Sequence, residues 1–195
     1  MISFPNSKIN IGLNIVSKRD DGYHNIETVF YPIPYKDILE ILPSKRLEVI
    51  NLGKKIDCEI EDNLCYKAYQ ILNSEFNLPP VKIILYKNVV YGSGLGSGSS
   101  DAAHTLISLN KLFNLNLDEE KLQFYASKLG ADCAFFIKNK AVFAQGLGNV
   151  FSEISLDLSG KYLMLCLPDV HLSTALAYKN CNPHVPNKSL KSLIN

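Results

Sequence analysis

No apolar run in this 195-residue chain approaches the length a bilayer-spanning helix needs. Nor does a positively charged segment followed by an apolar stretch open it, because Pro5, Asn6, Ser7 and Lys8 interrupt the only candidate. The expected setting is cytoplasmic, with no membrane partner. Five cysteines occur (Cys58, Cys65, Cys133, Cys166, Cys181), but none form a C-x-x-C pair and their number is odd, which suggests neither a zinc site nor a disulfide framework. A surplus of one charge is lacking too. The formal net charge is +1 without a basic stripe, so no nucleic-acid partner is expected. Repeats and low-complexity segments are also absent. What remains is an ordinary globular composition, 47% hydrophobic and 20% charged, in a length that suits one large domain or one domain plus part of another.

The most informative segment is Val90-Tyr91-Gly92-Ser93-Gly94-Leu95-Gly96-Ser97-Gly98-Ser99-Ser100, followed by Asp101-Ala102-Ala103. Its four alternate glycines lie between a β-type run, residues 81–86, and a segment of helical periodicity carrying Ala102, Leu106, Leu109 and Phe113. Without Cβ atoms the backbone bends tightly and brings its N–H groups against a ligand, while the positive end of a helix favours phosphate. Spacing excludes the common phosphate loops. No lysine lies between Tyr91 and Asn110, which removes the P-loop. Ser97 stands where the dinucleotide fingerprint and the protein-kinase loop need glycine. A solvated Gly/Ser linker is the bland alternative, and the closely flanking ordered elements argue against it.

Residues 8–16 alternate, with Ile9, Ile11, Leu13 and Ile15 on one face of an expected strand and Lys8, Asn10, Gly12 and Asn14 on the other. Lys18-Arg19-Asp20-Asp21-Gly22 reads as a turn leading to Tyr23 and His24. Further strands are expected over 28–31 and 37–42. Asn63 is placed to cap a helix with the stripe Leu64, Ala68, Ile71, Leu72 and Phe76, stopped by Pro79-Pro80. Asn116 with Glu119 resembles a capping box for a helix that ends at Gly130. β-type runs follow at 134–137, 141–144 and 162–167. Mixed elements without strict βαβ alternation favour an α+β fold.

These residues carry a resemblance. The glycine loop with its Ser-Ser-Asp-Ala-Ala tail resembles the second motif of the GHMP kinases, named for galactokinase, homoserine kinase, mevalonate kinase and phosphomevalonate kinase. Four other segments are Pro5-Asn6-Ser7-Lys8-Ile9-Asn10, Asp20-Asp21-Gly22-Tyr23-His24-Asn25-Ile26-Glu27-Thr28, Asp62-Asn63-Leu64 and Leu129-Gly130-Ala131-Asp132. With Ala144-Gln145-Gly146-Leu147-Gly148 they look like the 4-diphosphocytidyl-2-C-methyl-D-erythritol kinases. The resemblance implies a GHMP-kinase N-terminal domain, of the ribosomal protein S5 domain 2-like type, over residues 1–158. An incomplete second domain would begin at 159–195. It implies transfer of the γ-phosphoryl of ATP, with Mg²⁺, to a hydroxyl of a small cytidine-diphosphate-linked methylerythritol in the non-mevalonate route to isoprenoid precursors. A homodimer is left open.

Matched position by position, the resemblance makes Lys8 and Asp132 the catalytic pair. Asp132 would take the proton of the attacking hydroxyl, and Lys8 would orient it and offset phosphoryl charge. Residues 90–100 would wrap the ATP phosphates, with Ser99 or Ser100 offering a hydroxyl to phosphate or Mg²⁺. Asn63 and Lys87 resemble adenine-side contacts, while Asn10, Tyr23, His24 and Tyr178 fall on the substrate side, the last three at positions that hold the cytosine. Two departures stand out. Val90 replaces the usual proline, and Ser93 and Ser97 replace common glycines, which is tolerable if both serines use negative φ. No second glycine-rich motif follows Gly160, so the chain is expected to be a fragment or a shortened relative. The competing readings are a noncatalytic nucleotide-binding fragment and another small-molecule GHMP kinase.

Overall fold

A computed structural model describes residues 1–168, 177–178 and 181–194. The strands are β1 (Ile2–Ser3), β2 (Asn6–Lys18), β3 (His24–Lys36), β4 (Ile38–Pro43), β5 (Glu48–Gly53), β6 (Val81–Lys87), β7 (Val142–Gly146) and β8 (Val150–Glu153). Helices are α1 (Leu64–Phe76), α2 (Ser97–Leu112), α3 (Glu119–Leu129) and the single turn α4 (Phe135–Lys138), with a short helix at Leu190–Ile194. The mixed content agrees with the α+β reading.

The chain divides into two compact units, one of residues 1–8 and 32–139, the other of residues 9–31 and 140–195. The first holds a four-stranded sheet ordered β1-β4-β6-β5, in which β4 and β6 run antiparallel and β5 and β6 parallel. Along β6 the side chains alternate, so Val81, Ile83, Leu85 and Lys87 are buried while Lys82, Ile84 and Tyr86 are not. Leu39 and Ile41 of β4, Ala68 and Leu72 of α1, and Ala102, Leu106 and Leu109 of α2 complete the core. Full burial of each large aliphatic side chain is worth about 1.5–3 kcal/mol.

In the second unit, β3 pairs antiparallel with β7 and β7 with β8, extending the sheet ordered β2-β3-β7-β8. A tight turn joins β2 to β3. Its Gly22 has φ +84° and the Asp21 carboxylate accepts the Tyr23 amide at 3.1 Å, which is the turn the sequence shows.

Several expectations hold and several need correction. Asn63 caps α1, its Oδ1 accepting the Cys65 amide at 2.8 Å. The buried face of that helix is Cys65, Ala68, Tyr69 and Leu72, rotated from the expected stripe so that Leu64, Ile71 and Phe76 are only half-buried. Asp118, not Asn116, caps α3 by accepting the Lys121 amide at 2.9 Å; Asn116 has φ +56° and lies outside the helix. Gly130 ends α3 with extended backbone, φ 172°. The expected strand at 134–137 is instead the turn α4, because a helical turn sends both Phe135 and Phe136 into the core, at 2% and 1% exposure. Residues 162–167 form no strand; Tyr162 and Met164 are exposed and no described strand pairs with them.

Candidate active site

Residues 88–96 run from the end of β6 to the start of α2. Three loop residues take positive φ, Gly92 (+73°), Gly94 (+76°) and Gly96 (+68°), and Ser93 and Ser97 do not. The two serines therefore fit the alternation without strain. Ser100 N–H makes the first helical bond, to Gly96 O at 3.0 Å. The Ser97, Gly98 and Ser99 amides of the first turn have no carbonyl four residues back within the helix, which is the arrangement that receives an anion. Ser100 is wholly buried, its hydroxyl without a partner among the described residues, whereas Ser99 is half-buried. Val90 and Tyr91 at the loop entry are exposed, and Leu95 is buried.

Lys8 lies against this loop. Its backbone N–H donates to Leu95 O at 2.9 Å, and its Nζ sits 3.2 Å from Asp132 Oδ2. The lysine side chain is 6% exposed and the aspartate 30%, so the pair is buried on the lysine side and open on the carboxylate side. Asp132 stands in the turn between α3 and α4. Next to it Cys133 is fully buried, and burial pushes its thiol up to about 11 despite a hydrogen bond with the Ser99 hydroxyl. A Cβ on Gly96 would come within 3.0 Å of Lys8 Cε and 3.2 Å of Phe136 Cε2, so glycine at 96 makes room for the lysine itself.

Asn63 and Lys87 line a small recess, together with Leu64, Tyr91, Gly98 and Asp101. Asn63 is buried and engaged as the α1 cap, and its Nδ2 donates to Asn51 Oδ1 at 3.3 Å. Lys87 is buried completely. Its Nζ lies 2.6 Å from Asp37 Oδ2 and 2.5 Å from Asp101 Oδ2. Burial works against the lysine charge, but the two carboxylates outweigh it and raise the lysine pKa. Burial likewise pushes Asp101 up to about 7, against the pull of Lys87.

The remaining sequence-derived residues belong to the second unit. Asn10 donates to Thr28 Oγ1 at 3.0 Å, and Thr28 in turn donates to Gly12 O at 2.6 Å. Tyr23 is 65% exposed at the turn. His24 and Tyr178 place their ring centroids 5.5 Å apart at a 40° tilt, so two residues far apart in sequence meet as an aromatic pair.

The GHMP kinases N terminal domain family matches residues 63–140, which contain the glycine loop and Asp132. Over its whole length the chain is 57% identical to the 4-diphosphocytidyl-2-C-methyl-D-erythritol kinase of Bacteroides fragilis and 52% identical to that of Bacteroides thetaiotaomicron, spanning 72% of each. The chain belongs to the 4-diphosphocytidyl-2-C-methyl-D-erythritol kinase family. The crystal structure of 4-(cytidine 5'-diphospho)-2C-methyl-D-erythritol kinase aligns with 100% of the chain and 70% of its own, with TM-score 0.79 and 28% identity. The GHMP-kinase N-terminal fold and the kinase class expected from the sequence both stand.

In the sequence of this kinase Asp37 does not stand out as a site residue, and Asp101 does so only as part of the motif tail. A signal existed. The alternation Val81, Ile83, Leu85, Lys87 puts the lysine on the core face, where it requires acidic partners. Asn6 and Asn139 were missed as well, and no local spacing announces them: their side-chain amides pair across 133 residues.

Proposed function

We propose that the protein phosphorylates a hydroxyl of 4-diphosphocytidyl-2-C-methyl-D-erythritol with ATP, using Lys8 and Asp132 as its catalytic pair. The observation that carries the reading is the joint placement of the pair and the glycine loop: Lys8 bonds the loop through its backbone and Asp132 through its ammonium. The acceptor hydroxyl transfers its proton to an Asp132 carboxylate oxygen as its oxygen bonds the γ-phosphorus. The bond from that phosphorus to the β-phosphate oxygen breaks, and ADP leaves. Lys8 holds the carboxylate in place and stabilises charge on the transferring group.

Residues 90–100 hold the ATP phosphates in this reading, with Asn63 on the adenine side of the recess and Lys87, expected beside it, buried beneath its surface. No group of three or more His, Cys, Asp or Glu side chains among the described residues could hold a metal. That suits Mg²⁺, which keeps its waters and rides on substrate phosphates, so a single protein oxygen suffices. The half-buried Ser99 hydroxyl is the residue we assign to it, and the ion would neutralise phosphate charge. We assign Tyr23, His24 and Tyr178 to the cytosine and Asn10 to the substrate side; the His24–Tyr178 ring pair supports that assignment.

We further read residues 159–195 as belonging to a second domain and the cytoplasm as the place of action. No helix among the described residues is long and apolar enough to cross a membrane. Following ADP release with 4-diphosphocytidyl-2-C-methyl-D-erythritol, mevalonate and homoserine tests the function. The first acceptor is expected to dominate. Equal or faster turnover with either of the others contradicts the assignment.

A further inference from the structure

We propose that Asp37, Lys87 and Asp101 form a positioning cluster that fixes both ends of the glycine loop, so that Lys87 governs ATP binding through the loop and not by touching the nucleotide. The proposal rests on the reading of residues 90–100 as the phosphate-binding segment. Three connections carry it. The first is at the loop entry, where Asp37 Oδ1 accepts the Asn88 and Val89 amides at 2.7 and 2.8 Å while its Oδ2 meets the Lys87 ammonium. The second is at the loop exit. Asp101 stands in the opening turns of α2, after the amides that would receive phosphate, and meets the same ammonium.

The third connection runs toward the catalytic strand. Asp37 N–H donates to Pro5 O at 2.8 Å, three residues before Lys8. One buried cation thus ties together the end of β6, the first turns of α2 and the segment leading into β2. Although Lys87 and Asp101 belong to the wall of the recess, their side chains are 0% and 3% exposed, which keeps the charged atoms beneath its surface.

A buried cluster of two carboxylates and one ammonium is a costly way to fill a core. Apolar residues of the same volume are commonly as stabilising or more so. What ions add is direction: short bonds of fixed length between backbone segments that apolar contacts would let slide. A loop that recognises phosphate through backbone N–H groups needs that, since a displacement of about 1 Å can cost on the order of a hundredfold.

The test is steady-state kinetics on the protein expressed from its complete reading frame, with ATP and acceptor KM measured separately. Four variants are compared with the parent: Asp37→Asn, Lys87→Met, the double variant Lys87→Met/Asp101→Asn, and Gly94→Val as the loop control. Circular dichroism establishes folding. Lys87→Met is expected to raise ATP KM by about tenfold or more with the acceptor KM nearly unchanged. The double variant is expected to recover most of that loss, because the carboxamide introduced at position 101 can donate to Asp37 once the cation is gone. Asp37→Asn keeps the cation and is expected to raise ATP KM in the same selective way. It carries the test if Lys87→Met does not fold.

A folded Lys87→Met variant with parent-like ATP KM overturns the proposal, and so does a folded double variant that recovers none of its loss. Parent-like ATP KM in Asp37→Asn overturns it too. Gly94→Val separates this from failure of the underlying reading. Among the described residues nothing beyond its chain neighbours lies within 4 Å of a Cβ there, so parent-like ATP KM in that variant removes the phosphate role of the loop itself.

Discussion

The side chains of Asn6 and Asn139 exchange two hydrogen bonds, Asn6 Nδ2 to Asn139 Oδ1 at 3.1 Å and Asn139 Nδ2 to Asn6 Oδ1 at 2.7 Å. Asn6 opens β2 two residues before Lys8, and Asn139 ends α4, the turn that follows Asp132. The amide pair therefore clamps the two chain segments that carry Lys8 and Asp132, the pair we propose as catalytic.

Asn139 also sits at φ +54°, where glycine is at ease and alanine is not. Both Asn139→Gly and Asn139→Ala remove the amide pair, but only alanine adds backbone strain. Alanine is expected to be less stable than glycine by about 1 kcal/mol in denaturant unfolding. Both variants are expected to lower kcat while leaving ATP KM near the parent value. Equal stability of the two would show that the left-handed backbone at 139 is not held in solution.

Gly96 and Gly94 separate two roles within one loop. A methyl group at 96 runs into Lys8 Cε and Cγ at 3.0 and 3.1 Å, whereas one at 94 meets open space. Gly96→Ala is therefore expected to reduce kcat as well as ATP affinity, by displacing Lys8, for which we propose a catalytic role. Gly94→Ala is expected to act on ATP KM with kcat less affected, its backbone strain being about 1 kcal/mol. A Gly96→Ala enzyme with parental kcat contradicts the packing of Lys8 against the loop.

Asp101 makes stability depend on pH in an unusual direction for a carboxyl group. Burial lifts it to about 7 from an ordinary value of 3.8, so between those values the folded chain holds a proton that the unfolded chain releases. Its contribution to stability is fully present below about pH 4 and is lost as pH rises through about 7, with a slope approaching 1.4 kcal/mol per pH unit. Asp101→Asn cannot titrate. The difference in unfolding free energy between parent and variant is expected to move against the parent from about pH 4 to about pH 8. Parallel curves would show that the carboxyl is ionised throughout.

Much of this was legible in the sequence, for identifiable reasons. Asn63 before an apolar helical stripe, Gly22 after two aspartates and the alternate glycines 92, 94 and 96 each impose a backbone geometry that few other residues accept, and each stands where its residue type requires. The failures share a different cause. Ala134-Phe135-Phe136-Ile137 is a short apolar run without period, and only the core decides that it is a helical turn. Asn116 and Asp118 are both acceptable caps two residues apart, and the left-handed backbone at 116 settles the choice. The core-facing place of Lys87 in β6 says that it needs acidic partners, but only the fold selects Asp37 and Asp101, and nothing near Asn6 points to Asn139.

Transfer by the Lys8–Asp132 pair is tested most directly by Asp132→Asn in a single turnover with ATP and 4-diphosphocytidyl-2-C-methyl-D-erythritol, beside an equilibrium titration of ATP-Mg²⁺. The amide keeps the size of the side chain, leaves the glycine loop untouched and cannot take the hydroxyl proton. ATP affinity is expected to stay close to that of the parent while the transfer rate falls by about 10²–10⁴-fold. A folded variant that transfers phosphate at nearly the parental rate contradicts the role of Asp132 as the base, and with it the mechanism.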